Sequence, residues 1–208
     1  MLFKILRRHI IKLKISHIII FHLIVAINFL GVVMEALGLK EFLENCEKLV
    51  IMGIGNEMKG DDGVGIYIVK EIAKRFGKDV NDINSEVIKI SENIILLNCG
   101  TVPENFTDVL KRESPTHIIM VDAALMNEEI GTIKVINPED IADVGFSTHA
   151  LPLSIIVKYI KKSINTKIIV IGIEPKIIDF DKPLSDEVRR CADNFVEYLI
   201  KIINTIFC

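Results

Sequence analysis

The run Lys48-Leu49-Val50-Ile51-Met52-Gly53-Ile54 restricts the fold of this chain more than any other stretch. It is short, apolar and rich in β-branched residues, with none of the alternation of a half-exposed strand, which marks a strand covered on both faces of a parallel sheet. Glycines then turn the chain through Gly55-Asn56-Glu57-Met58-Lys59-Gly60-Asp61-Asp62-Gly63. Beyond the turn, Val64, Ile68, Ile72 and Phe76 recur every fourth place, while Lys70, Glu71, Lys74 and Arg75 fall elsewhere. That spacing predicts an amphipathic helix, with Gly77 placed to end it. Strand, turn and helix in this order open an α/β domain.

The turn sets Asp61 and Asp62 where the carboxyl end of a strand meets the amino end of a helix. Ligands of open α/β sheets usually bind there, and exposed N–H groups favour a carboxylate. Either aspartate alone fits an N-cap. Two in succession exceed what one cap needs, and a carboxylate kept ionised in a cleft can bind a cation.

With 208 residues, the chain suffices for one domain of ordinary size plus an additional segment. A formal charge of −3, with Lys interleaved among Glu and Asp, leaves no basic face, so nucleic acid is not an expected partner. Cys46, Cys99, Cys191 and Cys208 have no paired spacing, which indicates neither a zinc ribbon nor a disulfide framework and suits a reducing, cytoplasmic compartment.

Residues 1–34 differ from the rest. Lys4, Arg7, Arg8, Lys12 and Lys14 precede Ile15 to Met34, an uncharged and mostly apolar run of about bilayer-spanning length. It reads as a membrane anchor with a cytoplasmic basic end, as a signal peptide without an evident cleavage site, or as the product of a start codon placed too far upstream. The last is preferred, because His17, His22 and Asn28 interrupt the run and Met34 begins an amphipathic lead-in to the first strand. The main domain is accordingly expected over 35–208, with membrane contact only if 1–34 is retained.

Further strands are expected at Ile94 to Asn98, with Glu86 to Ile90 as the alternative neighbour of the first strand, and at His117 to Ala124 and Lys167 to Ile173. An edge strand is expected at Gly131 to Asn137. Pro138 to Ile141 reads as one helical turn, Leu151 to Ile164 as a helix, and a last helix starts near Ser185 as its cap. Asp122 interrupts an apolar strand near its carboxyl end, on the same sheet edge as Asp62. His149 immediately precedes a helix, whose amino-end amides disfavour imidazolium and keep the ring in its ligand form. Cys99, in a turn after a strand, reads as an inert thiol rather than a nucleophile, which would need a neighbouring base. Asp62, Asp122 and His149 together offer two carboxylates and one imidazole, a donor set for a divalent transition metal with positions left open.

Gly53-Ile54-Gly55-Asn56 with Gly60-Asp61-Asp62-Gly63-Val64-Gly65, then Val121-Asp122-Ala123, then Ser147-Thr148-His149 with Pro152-Leu153, resembles the hydrogenase maturation endopeptidases in order and spacing. Pro103-Glu104-Asn105, Asn137 to Ala142 and Gly172-Ile173-Glu174-Pro175 resemble the branch serving formate-hydrogenlyase-type hydrogenases. The resemblance covers about Val50 to the end. It implies a three-layer α/β fold, with a central twisted, mostly parallel five-stranded sheet and helices on both faces. It implies a monomeric, nickel-dependent peptidase that removes the carboxyl-terminal extension of a nickel-iron hydrogenase large-subunit precursor after nickel insertion. Asp62, Asp122 and His149 would be both catalytic residues and metal contacts, and the nickel would arrive with the precursor. Many relatives carry aspartate where this chain has Asn98, which leaves that residue's part in handling the precursor peptide open.

Three rival readings follow from the same residues. A glycine turn between strand and helix can cradle phosphate in a nucleotide-binding oxidoreductase module, although Asp61 and Asp62 would repel a pyrophosphate. A serine hydrolase built from Ser147, His149 and Asp122 lacks the glycines of a nucleophile elbow. A metallochaperone or docking factor would hold nickel without cutting.

Overall fold

The computed structural model describes residues 34, 37–137, 140–141, 145–146 and 151–207. The chain divides into two compact units, Met1–Phe42 and Leu43–Cys208. In the first, one helical turn, Leu39–Phe42, falls within the amphipathic lead-in. The apolar run Ile15 to Met34, with its three readings, lies outside the described residues apart from Met34. No helix among the described residues is long and apolar enough to cross a membrane.

The second unit is an α/β sandwich. Its strands are β1 (Leu49–Ile54), β2 (Val87–Lys89), β3 (Ile94–Gly100), β4 (His117–Leu125), β5 (Ile133–Ile136), β6 (Gly145–Phe146) and β7 (Lys167–Ile173). Its longer helices are α1 (Val64–Arg75), α2 (Thr107–Glu113), α3 (Leu153–Ser163) and α4 (Asp186–Phe207). The sheet runs β2-β3-β1-β4-β7-β5, with β6 paired to β4 outside that path. The four inner strands are parallel, and β2 and β5 close the edges antiparallel.

The expected α/β class holds, and the strand count exceeds the expected five. Both candidates for the second strand are strands: Ile94–Gly100 pairs with β1, and Val87–Lys89 pairs outside it. The two residues of β6 carry too little pattern to be recognised in sequence. As expected, β1 is buried along its whole length.

Strand alternation divides the core between the two faces. Val50, Met52, Ile118, Met120, Ala124 and Val170 pack with Leu110 of α2 and Leu153, Ile156, Val157 and Ile160 of α3. On the other face, α1 lies across β1, β3 and β4 and packs against α4. The strand order puts β3 on one side of β1 and β4 on the other. The crevice between the carboxyl ends of β1 and β4 is therefore the topological switch point, where α/β sheets bind ligands.

Candidate active site

The β1–α1 turn owes its path to backbones that touch. A Cβ on Gly55, at φ +131°, would lie 1.7 Å from the carbonyl oxygen of Asp62. One on Gly65 would lie 2.2 Å from the carbonyl of Val121 and 2.4 Å from that of Ile54. These glycines press the amino end of α1 onto the ends of β1 and β4.

Asp61 and Asp62 are the middle residues of the 3₁₀ turn Gly60–Gly63 and are both fully buried, yet their surroundings are opposite. Asp61 is saturated. Its Oδ2 accepts from the backbone N–H groups of Lys176 (2.9 Å) and Ile177 (3.0 Å) and from the Ser185 hydroxyl (2.9 Å), and its Oδ1 accepts from Ser185 N–H (2.7 Å). Backbone bonds reinforce the junction: Gly60 N–H donates to Lys182 O, Asp61 N–H to Ile177 O and Asp181 N–H to Met58 O. Asp61 thus fastens the β7–α4 connection to the turn. Ser185 precedes the last helix as expected, but its hydroxyl is directed to Asp61.

Asp62 is held by its backbone alone. Its N–H donates to Lys59 O (3.3 Å) and its carbonyl accepts from Asn56 N–H (3.2 Å). Among the described residues, neither carboxylate oxygen has a hydrogen-bond partner. Burying a carboxylate without donors or a cation is strongly unfavourable, and such a group in a preorganised cleft is the mark of a ligand site rather than of a structural cap. Neither aspartate caps α1: the N-cap is Gly63, and no side chain bonds there.

Asp122 is fully buried on β4. The strand continues through it to Leu125, one residue beyond the expected Ala124, and Asp122 and Ala123 pair with Gly172 and Ile173 of β7. Pairing with β1 stops one residue earlier, at Gly53–Val121, so Asp122 stands at the mouth of the crevice. Its parity with Met120 and Ala124 puts it on the α2/α3 face. The Gly60–Gly63 turn touches this strand, so the segments carrying Asp62 and Asp122 are neighbours.

Ser147, Thr148 and His149 lie outside the described residues. Among the described residues, no three His, Cys, Asp or Glu side chains are grouped to hold a metal. Cys99 is buried, its thiol directed at Leu97 O, and burial pushes its pKa well above the ordinary thiol value, so it is inert as expected. Asn98, half-buried, lines a groove of about 430 Å³ with Glu86, Gly100, Thr101 and Asn105.

Two further roles were not legible in sequence. Glu174 is buried, and its Oε2 accepts from Met126 N–H (2.7 Å) and Glu128 N–H (3.2 Å), fixing the loop that leaves β4. The division of labour between Asp61 and Asp62 depends on residues more than a hundred positions downstream. The adjacency of the two acids is the only local sign of it.

Fold and crevice define an α/β protein with a ligand cleft at its topological switch point. The family model described as HycI, hydrogenase maturation protease, matches residues 66–202. A Methanocaldococcus jannaschii protein assigned to the hydrogenase maturation proteases is 54% identical over 164 residues, covering 79% of this chain and 93% of that protein. The hydrogenase 3 maturation protease of Escherichia coli K12 is 28% identical over 151 residues, covering 72% and 87% respectively. Among solved structures, the crystal structure of a NiFe hydrogenase maturation protease HycI from Thermococcus kodakarensis superposes with a TM-score of 0.66 at 28% identity, over 80% of this chain and 98% of that one. The chain belongs to the hydrogenase maturation protease family and is an endopeptidase of that family.

Proposed function

We propose that this protein removes the carboxyl-terminal extension of a nickel-iron hydrogenase large-subunit precursor once nickel has been inserted, with Asp62, Asp122 and His149 contacting the nickel that the precursor carries. The observation that carries this reading is Asp62: a buried carboxylate at the switch point, rigid in its backbone, with both oxygens unpartnered among the described residues. Such a group fits a cation delivered from outside, and two carboxylates with an imidazole suit a divalent transition metal.

On this reading, selectivity arises in the protein's own residues. Asp62 and Asp122 add ligands to an ion already held by the precursor, so a metal-free precursor gains nothing from the crevice and is not positioned for cleavage. A bound metal supplies Lewis-acid polarisation of a carbonyl or acidification of a water at neutral pH. The rigid turn holds Asp62 in place, which favours orientation over rearrangement. The reading places the reaction in the cytoplasm, in keeping with free thiols at Cys46, Cys99 and Cys191.

The test is processing of nickel-loaded and metal-free precursor by purified protein, with intact-mass detection of the released extension. Release from the loaded precursor alone, abolished by Asp62→Asn, is expected. Equal cutting of metal-free precursor, or full activity in Asp62→Asn, overturns the role of the metal. Absence of cutting by wild-type protein that still binds the loaded precursor would favour a docking factor.

A further inference from the structure

The end of β4 overhangs its neighbours in the sheet. Pairing with β1 stops at Val121 and pairing with β7 at Ala123, so Ala124 and Leu125 extend beyond both. Asp122 stands just before this overhang, and whatever holds the overhang also sets the direction in which the strand leaves Asp122. Two residues of Gly172-Ile173-Glu174-Pro175, a motif to which the processing function assigns no part, receive it.

Gly172 is in register with Asp122. A Cβ there would lie 2.8 Å from Ala124 Cβ and 3.2 Å from Met126 Sδ, so the bare glycine leaves the room that both side chains occupy. Two residues on, Glu174 is 7% exposed, and a single oxygen, Oε2, accepts from both Met126 N–H (2.7 Å) and Glu128 N–H (3.2 Å). Its main chain closes the far end of the same loop: Gly131 N–H donates to Glu174 O (2.9 Å), and Glu174 N–H donates to Thr132 O (3.0 Å). One residue thus holds both ends of the β4–β5 connection.

The overhang also carries β6, which pairs with Ala124 and Leu125. A pairing of two residues is too short to persist without support, so β6 depends on the overhang being kept extended. In sequence, β6 is followed directly by Ser147, Thr148 and His149.

We propose that Glu174 is a positioning residue for Asp122: by taking Met126 N–H and Glu128 N–H on one oxygen, it holds the end of β4 extended and so fixes Asp122 at the mouth of the crevice. This role presupposes the part given to Asp122 in processing. Reach, not charge, is the property that matters. Both bonds fall on one oxygen, and a glutamine oxygen in the same place can accept both. Aspartate keeps the charge but is one methylene shorter, which withdraws the oxygen from the two N–H groups.

The experiment compares full-length wild-type protein with Glu174→Gln and Glu174→Asp in two measurements. Amide hydrogen exchange at Met126 and Glu128, read by NMR, needs no precursor. It should stay within about threefold of wild type in Glu174→Gln and become at least about tenfold faster in Glu174→Asp. Processing of nickel-loaded precursor should follow the same order. In Glu174→Asp, kcat should fall about tenfold or more with KM within about twofold, the signature of a misplaced reacting group rather than of weakened binding. In Glu174→Gln both should stay within about threefold of wild type. Faster exchange with an unchanged kcat in Glu174→Asp overturns the proposal, because the loop is then held without effect on Asp122. Equal loss of kcat in both variants overturns it too, because charge would then be the property that matters. Should Glu174→Asp not fold, Gly172→Ala, whose Cβ pushes on Ala124 and Met126, carries the same expectation, and faster exchange at Met126 with unchanged kcat is again the overturning result. Wild-type protein that leaves the loaded precursor uncut overturns the processing reading instead.

Discussion

Replacing Asp61 by alanine removes the acceptor for three backbone N–H groups and one hydroxyl, at distances of 2.7–3.0 Å. At the low end of the cost of a lost partner, about 1 kcal/mol each, the loss comes to roughly 4 kcal/mol. That is a rare size for a single substitution and a large part of the 5–15 kcal/mol that ordinarily holds a domain folded. With a urea m-value of about 2 kcal/mol/M, the unfolding midpoint should fall by about 2 M with m unchanged. Asp61→Asn keeps one accepting oxygen but turns an amide donor toward other donors, so an intermediate loss is expected. Urea unfolding followed by circular dichroism measures both. A midpoint within about 0.5 M of wild type for Asp61→Ala would show that the four bonds do not fasten the turn and would refute the assignment of Asp61 as the structural member of the pair.

Asp62→Asn should behave in the opposite way, with unfolding stability unchanged or raised by about 1 kcal/mol, because an unpartnered buried carboxylate is relieved, and with precursor processing lost; a large stability loss would contradict the absence of partners. Gly65→Ala should destabilise by about 3 kcal/mol or more, since its Cβ would meet the backbones of β1 and β4; thermal unfolding measures it, and a neutral result would refute the close approach. Glu113 is held down to about 2, chiefly by its hydrogen bond with Lys48 and also by Lys89. Its folded pKa lies below the ordinary value of 4.5, so its contribution is complete above about 4.5 and disappears as pH falls toward 2. Glu113→Gln should flatten the stability profile across that window. Cys99 should resist iodoacetamide in the folded protein at pH 8 and react once unfolded, as peptide mass mapping would show; labelling in the native state would refute its burial.

The parallel core was legible because each inner strand is a continuous apolar run and α1 repeats with a helical period. Topology then brought Asp62 and Asp122 to one rim without side-chain information. What escaped was non-local. The outer, antiparallel place of Val87–Lys89 is set by the edge that β3 offers it, and β6 exists only against the end of β4. The different fates of Asp61 and Asp62 are decided by Lys176, Ile177 and Ser185.

The clasp between the Gly60–Asp61 backbone and the Ile177–Ser185 connection has a temporal side. Those partners are synthesised more than a hundred residues after the turn they secure, so a chain still emerging from the ribosome cannot make the four bonds to Asp61. The turn is locked to the rest of the domain only when the β7–α4 connection has been made and docked.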